Sequence, residues 1–335
     1  MTRIYAAMAD SLLVATEEAG DVRVTERLRT HDLKCVLATA ARPDRVLVGT
    51  FDDGLYRSTD RGDTFERVGA DTIESSTVMS LAASPADPDV VWAGTEPSAV
   101  YRSTDGGETW RRRPGVTDLP SAAGWSFPPR PSTHHVRWLE VDPRDPEHLY
   151  VGIEAGALIR TDDGGETWRD HPDGARRDNH SMATHPDREG LVYTAAGDGF
   201  AVSRDGGDTW SHPQDGLDHR YCWSVVADPG DPDRLVVSAA RGARTAHFPG
   251  AAQSYVYRRD GRDAAWQRVD SDVLPTGEGV LRAVLATTGE AGVVYAANNH
   301  GLFRSADAGS SWDALDVPWP ERFESQTCRG LAVVA

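Results

Sequence analysis

The sequence predicts an all-β fold, a seven-bladed β-propeller of four-stranded blades, and three observations carry that prediction. An octet of residues, Ser103 to Trp110, recurs along the chain with its Asp, Gly and aromatic positions in register. Each copy is preceded by the same succession of short apolar runs separated by turn signals. The first 30 residues hold one strand fewer than the other units, and a lone apolar run ends the chain.

The octet reads Ser103-Thr104-Asp105-Gly106-Gly107-Glu108-Thr109-Trp110, and its other copies occupy residues 58–65, 161–168, 203–210 and 305–312. A worn sixth copy is Arg258-Arg259-Asp260-Gly261, with Trp266 behind it. Around the best copy the order is Val78 to Ala82, a turn at Pro85-Ala86-Asp87-Pro88-Asp89, Val90 to Gly94, Val100 to Ser103, the octet, and a polar run from Trp110 to Arg113. Short runs rich in β-branched residues and bounded by Pro, Asp and Gly read as strands, and four of them per long repeat read as a propeller blade.

The blades expected are 31–70, 74–113, 134–172, 178–213, 219–270 and 278–318, with 114–133 as a long loop. Residues 1–30 supply three strands of a first blade, and 326–335, through Cys328 to Val334, supply the fourth. That pairing closes the ring and leaves no free sheet edge, so 1–335 is read as a single domain.

Within the octet, the carboxylate of Asp105 is placed to accept hydrogen bonds from amides of its own turn, Gly107 permits a positive φ, and Trp110 packs between blades. The pattern S/T-x-D-x-G-x-x-W resembles the Asp-box, or BNR repeat, of sialidases, sortilin-type receptors, xyloglucan-degrading hydrolases and the photosystem II assembly factor. No one member is singled out. The resemblance implies a propeller with the motif between the third and fourth strands of a blade, on the face away from the binding site. It implies no particular chemistry, because these proteins share architecture and little else. The six blades of sialidases, against seven here, argue against that activity.

Composition narrows the partners. A net charge of −17 excludes nucleic acid and anionic membrane surfaces as main partners, since both demand a basic face. Lys34 is the single lysine, and Cys35, Cys222 and Cys328 lack metal-type spacing and read as reduced thiols. The N-terminal residues show no basic segment followed by a long apolar run, so the expected location is cytoplasmic.

Function is expected on the face opposite the octets, where the loops entering the innermost strands meet. Arg137, His180, Trp223, Arg282 and Arg329 fall at equivalent positions of five blades, where Met79 and Cys35 occupy the other two. Three arginines converging on one mouth in an acidic protein point to an anion, with Tyr221 and Trp223 as an aromatic wall. The alternative is neutralisation by Glu140, Glu154 and Glu278 in structural ion pairs. His134, His135, His219, His300 and Trp125 complete the expected ligand-binding set.

If the site reacts, Glu154, Glu278, Tyr221 and His180 are the candidate catalytic groups, with Asp178 and Asp198 as further carboxylates. The sequence singles out no cofactor, but a divalent metal is a candidate on His135, His180 and His219. The loop Pro114 to Thr133 carries Trp125 and Phe127 and reads as a lid or side wall, and the insertion 241–254, with His247 and Phe248, edges the same rim. The leading expectation is a pocket that binds an anionic, carbohydrate-related small molecule. The alternatives are a glycoside hydrolase or lyase acting in the same pocket, and a scaffold that docks a protein partner on its arginine-bearing face.

Overall fold

In the computed structural model, which describes residues 1–18 and 21–335, seven antiparallel sheets stand in a ring, each contributing its innermost strand to a central channel. The first blade runs outward as Gly330–Val334, Thr2–Ala7, Leu12–Glu18 and Asp21–Arg27, so the C-terminal strand closes the ring against the N-terminal one. The second and third blades are Leu33–Thr39, Arg42–Thr50, Leu55–Ser58, Glu66–Val68, and Val78–Ala83, Val91–Thr95, Val100–Ser103, Arg111–Arg113. In the fourth (Val136–Val141, Leu149–Ile153, Ala157–Thr161) and fifth (Asn179–His185, Arg188–Ala196, Gly199–Ser203), the outer strand shrinks to a single bridge, Arg160 with Arg169 and Val202 with Ser211. The sixth is Tyr221–Asp228, Asp231–Ala240, Gln253–Asp260 and Gln267–Arg268, and the seventh Val284–Thr287, Val294–Asn298, Gly301–Ser305 and Asp313–Ala314.

Five innermost strands carry one residue more than their partners. Between Leu33 and Cys35, Val78 and Ser80, Val136 and Trp138, Asn179 and Ser181, and Cys222 and Ser224, the neighbouring strand advances by only one residue. The bulged residues are therefore Lys34, Met79, Arg137, His180 and Trp223. A bulge frees its extra residue from the ladder and re-aims the side chain. It also corrects one alignment: the position equivalent to Met79 in the second blade is held by Lys34, not by Cys35.

Beside the bulge, the second strand of the third blade has Gly94, where a Cβ would lie 2.4 Å from Cγ1 of Val136 and 2.5 Å from Oγ of Ser80. The next blade therefore packs directly on backbone, and Ser80 Oγ donates to the Val136 carbonyl at 2.8 Å. Apolar clusters fill the space between blades farther out, as where Trp92, Val100, Leu139, Val151 and Ile159 meet between the third and fourth.

The octet is a turn. Thr109 donates its backbone N–H and hydroxyl to Asp105, at 2.9 and 2.5 Å, Gly107 N–H donates to Ser103 Oγ at 2.8 Å, and Trp110 Nε1 donates to the Gly107 carbonyl at 3.1 Å. Asp60, Asp163, Asp205 and Asp307 repeat the same bonds to Thr64, Thr167, Thr209 and Ser311. Gly107 has φ 86°, a conformation closed to most side chains. All of these carboxylates are spent on their own turns, so none is free for chemistry.

Two outcomes follow. Gly94→Val forces a side chain into the third–fourth blade contact and destabilises the fold by about 1–3 kcal/mol or more, measured by denaturant unfolding. Hydrogen bonds from Thr64 and Thr167 hold the carboxyls of Asp60 and Asp163 down to about 2, from an ordinary 3.8. Their support is complete above the unfolded value and is lost as pH falls through the folded one. Amide protection at Thr64 and Thr167 is thus expected to survive pH 3 and collapse near pH 2, whereas Asp163→Asn removes that step at Thr167.

Candidate functional site

Four of the bulged residues, Met79, Arg137, His180 and Trp223, line a cavity of ≈ 60 Å³ at the ring axis, together with Arg329, Ser181 and Ser224. Since about 10–15 Å³ suffices to admit one water, it has room for a few waters or one small polyatomic group. The fifth, Lys34, binds Asp32 at 2.8 Å, and burial and then the charge of Arg329 depress its pKa.

Arg282 does not itself line that cavity but stacks on Trp223, which does. It is 2 % exposed, its Cζ lies 3.6 Å from the centre of the Trp223 ring, and its Nη1 donates to the Cys328 carbonyl at 2.8 Å. Its Nε donates to His247 Nδ1 at 3.0 Å. Arg137 covers the same tryptophan at 4.7 Å, so Trp223 is a platform for two guanidinium groups and not a free wall for a ligand. Among the described residues no carboxylate lies within 4.0 Å of Arg282 or Arg329, and the buried Nε of Arg329 has no hydrogen-bond partner. Burial, followed by repulsion from Arg137 and Arg329, pushes the pKa of Arg282 well down.

The expected neutralising carboxylates are largely elsewhere. Glu140 accepts from Thr184 and Trp138, and burial raises its carboxyl to about 7. Glu278 is exposed in a short strand beside Gln253. Only Glu154 reaches an arginine of the set, with its Oε2 3.6 Å from Arg137 Nε.

Glu154 is also the centre of the acidic side. His135 Nε2 lies 2.8 Å from its Oε2, and His180 Nε2 lies 3.9 Å from its Oε1. Burial alone would raise its carboxyl, but the His135 hydrogen bond and the charges of His135, His180 and Arg137 hold it well below the usual range. Asp178, 3.7 Å from His180 Nε2, is shifted upward by burial. The far nitrogen of His135 faces Glu96, 3.4 Å away, and Glu96 in turn grips Arg130 of the long loop at 2.8 and 2.6 Å. That loop is folded: Trp125 is buried against His134, and Phe127 lies edge-on to His135 at 4.7 Å. It forms a wall of the site.

The insertion at 241–254 supplies a residue that the sequence places only on the rim. Its short helix, Ala243–His247, delivers His247 between Arg282 and Tyr221, whose hydroxyl lies 3.0 Å from His247 Nε2. Because the Arg282 Nε always donates, His247 Nδ1 must accept, and its proton resides on Nε2 and is donated to the Tyr221 oxygen. Burial and then the Arg282 charge push the His247 pKa down to about 2, which keeps it neutral. Burial likewise raises the Tyr221 pKa. The phenol thus remains protonated, with its O–H not used on His247.

Several expected residues lie outside this constellation. His219 bonds the Tyr257 hydroxyl at 2.5 Å and stacks on Tyr255, away from His135 and His180, so the three histidines do not form one ligand set. His300 is exposed beside Asn299 and the Gly279 carbonyl, and Asp198 lies near Arg176.

The BNR/Asp-box repeat family model matches residues 101–112, the third-blade copy of the octet. No curated protein matches the sequence. Among solved structures, an ancestral GH74 enzyme superposes with a TM-score of 0.65 at 15 % identity, covering 86 % of this chain and 39 % of its own. The GH74 xyloglucanase from Xanthomonas campestris gives 0.63 at 18 % identity, with 84 % and 46 % covered. YCF48 bound to D1 peptide gives 0.59 at 16 %, with 91 % and 94 % covered. The chain thus spans less than half the length of the GH74 enzymes, and at these identities the likeness is one of fold.

The neutral His247 generates a pH signature. With its folded pKa far below the unfolded 6.5, the unfolded chain binds the extra proton, so stability rises with pH across this window and is lost as pH falls below 6.5. His247→Gln is expected to remove about one proton from that linkage, about 1.4 kcal/mol per pH unit between pH 4 and 6, in unfolding free energies measured across the range.

Proposed function

We propose that this Asp-box-bearing seven-bladed propeller is a receptor for a small oxyanion, a carboxylate, phosphate or sulfate group, held at the mouth of its channel. One observation carries the reading: Arg282 is a buried guanidinium with no carboxylate partner among the described residues, beside two further arginines. A buried charge left without a partner is costly, and a bound anion compensates it. Arg282, Arg137 and Arg329 supply the charge, and Tyr221 supplies a directional hydroxyl donor. A sugar acid satisfies the same requirement through its carboxylate, but the pocket reads the charged group more than the ring, because Trp223 is already covered by guanidinium groups.

The fold likeness to GH74 enzymes leaves a hydrolase as an alternative, with Glu154 and Asp178 as its carboxylates. The likeness to a peptide-bound YCF48 leaves a protein-docking role. A small cavity with Arg137 and Arg329 in its lining, beside the Arg282–Trp223 stack, favours the anion.

Arg282→Met keeps much of the packing on Trp223 while removing the charge. The expected result is a ligand-free melting temperature equal to or above that of the parent, as when other buried ionic groups are replaced by apolar ones. Stabilisation by added sulfate, phosphate or glucuronate, read as a melting shift, should disappear. Retained anion stabilisation in Arg282→Met would contradict the assignment.

A further inference from the structure

We infer that Glu154, Asp178 and His180 form a divalent-cation site on the acidic side of the channel mouth, separate from the arginines that hold the anion. One ligand atom from each lies within 4.8 Å of the others. This inference does not rest on the anion reading.

His180 Nδ1 lies 2.7 Å from the Cys222 carbonyl, which can only accept, so Nδ1 carries a proton. With Nδ1 protonated, the uncharged form of the ring has its lone pair at Nε2, and that atom is fully buried, with no hydrogen-bond partner. It faces Asp178 Oδ2 at 3.7 Å and Glu154 Oε1 at 3.9 Å. Neither oxygen receives a protein hydrogen bond: Ala155 N–H is taken by Asp178 Oδ1, and His135 by Glu154 Oε2. Three acceptor lone pairs converge with no donor between them.

Lone pairs in that arrangement repel unless something positive lies between them. The separations of 3.7 and 3.9 Å are too long for direct hydrogen bonds, but they suit ligands bound to one ion at about 2.0–2.6 Å, whose atoms are roughly 3–4 Å apart. The Cys222 carbonyl behind His180 is the outer partner that orients a metal-binding imidazole. Arg137 approaches the other oxygen of Glu154, Oε2, and leaves Oε1 to the cluster. Gly197 keeps the space open, since a Cβ there would fall 1.9 Å from Asp178 Oδ2.

One imidazole and two carboxylates suit a transition ion such as Mn2+ or Zn2+ better than Mg2+ or Ca2+. Three protein ligands leave coordination positions open, toward solvent through the part-exposed Asp178. An oxygen of the anion held by the arginines is a suitable occupant.

The test uses untagged full-length protein, stripped with chelator, with Mn2+ binding followed by calorimetry and by its paramagnetic resonance spectrum. One Mn2+ per chain is expected, with Zn2+ competing for it. Asp178→Asn and His180→Gln should each weaken binding at least about tenfold, and Gly197→Ala should do so without replacing a ligand residue. Arg282→Met should still bind Mn2+ while losing anion stabilisation, which separates a failure of this site from a failure of the anion pocket. Absence of stoichiometric Mn2+ or Zn2+ binding in folded parent protein overturns the inference. So does equal affinity in all the variants, or an Nε2 proton on His180 at pH 7 seen by nitrogen NMR in protein that takes up no metal.

Discussion

Five of the seven innermost strands carry one residue too many for their partners, and much of the site depends on that constraint. A ladder cannot absorb an odd residue, so it is expelled, and in a ring of blades the direction open to it is the axis. Met79, Arg137, His180 and Trp223 reach the cavity in this way. The backbone thus fixes where a side chain appears, and the identity of that side chain fixes the chemistry. The glycine beside a bulge, as at Gly94, lets the next blade close on it without a gap.

The channel mouth separates two kinds of charge. Arg282 and Arg137 stack on Trp223 with Arg329 lining the same cavity, while Glu154 and Asp178 meet at His180 and Glu154 continues through His135 and Glu96 to the long loop. Glu154 belongs to both, with one oxygen toward Arg137 and His135 and the other toward His180. Desolvation works against every charge here, and each side offsets it only in part: Glu154 Oε2 and Glu96 through His135 and Arg130, Arg282 through one carbonyl and one imidazole acceptor. What is left uncompensated is positive on the arginine side and negative where Glu154 Oε1 and Asp178 Oδ2 face His180.

The fold was legible because its signals are local and repeated. Asp105 and its four counterparts sit in a fixed turn, so the octet states the strand order each time it recurs, and the strand missing from residues 1–30 pointed directly to Gly330–Val334. The site was legible in its cationic half, because Arg137, Arg282 and Arg329 could be aligned blade by blade. What escaped the alignment depends on single-residue register and on loops. The bulge at Lys34 moves the equivalence by one residue from Cys35, and nothing in a run of alternating residues announces it. The insertion carrying His247 has no repeat to align with, and its helix places that ring by packing alone. Position draws His219 toward the site, but its partners, Tyr255 and Tyr257, both belong to Gln253–Asp260, the third strand of its own blade.

Diffraction from crystals soaked in selenate, whose selenium scatters anomalously, shows whether an oxyanion completes the charge balance of Arg282. One anomalous peak is expected at the channel mouth, within hydrogen-bonding reach of Arg282 or Arg137 and of the Tyr221 hydroxyl. Selenate found only among surface arginines, with water alone beside an unchanged Arg282, overturns that balance.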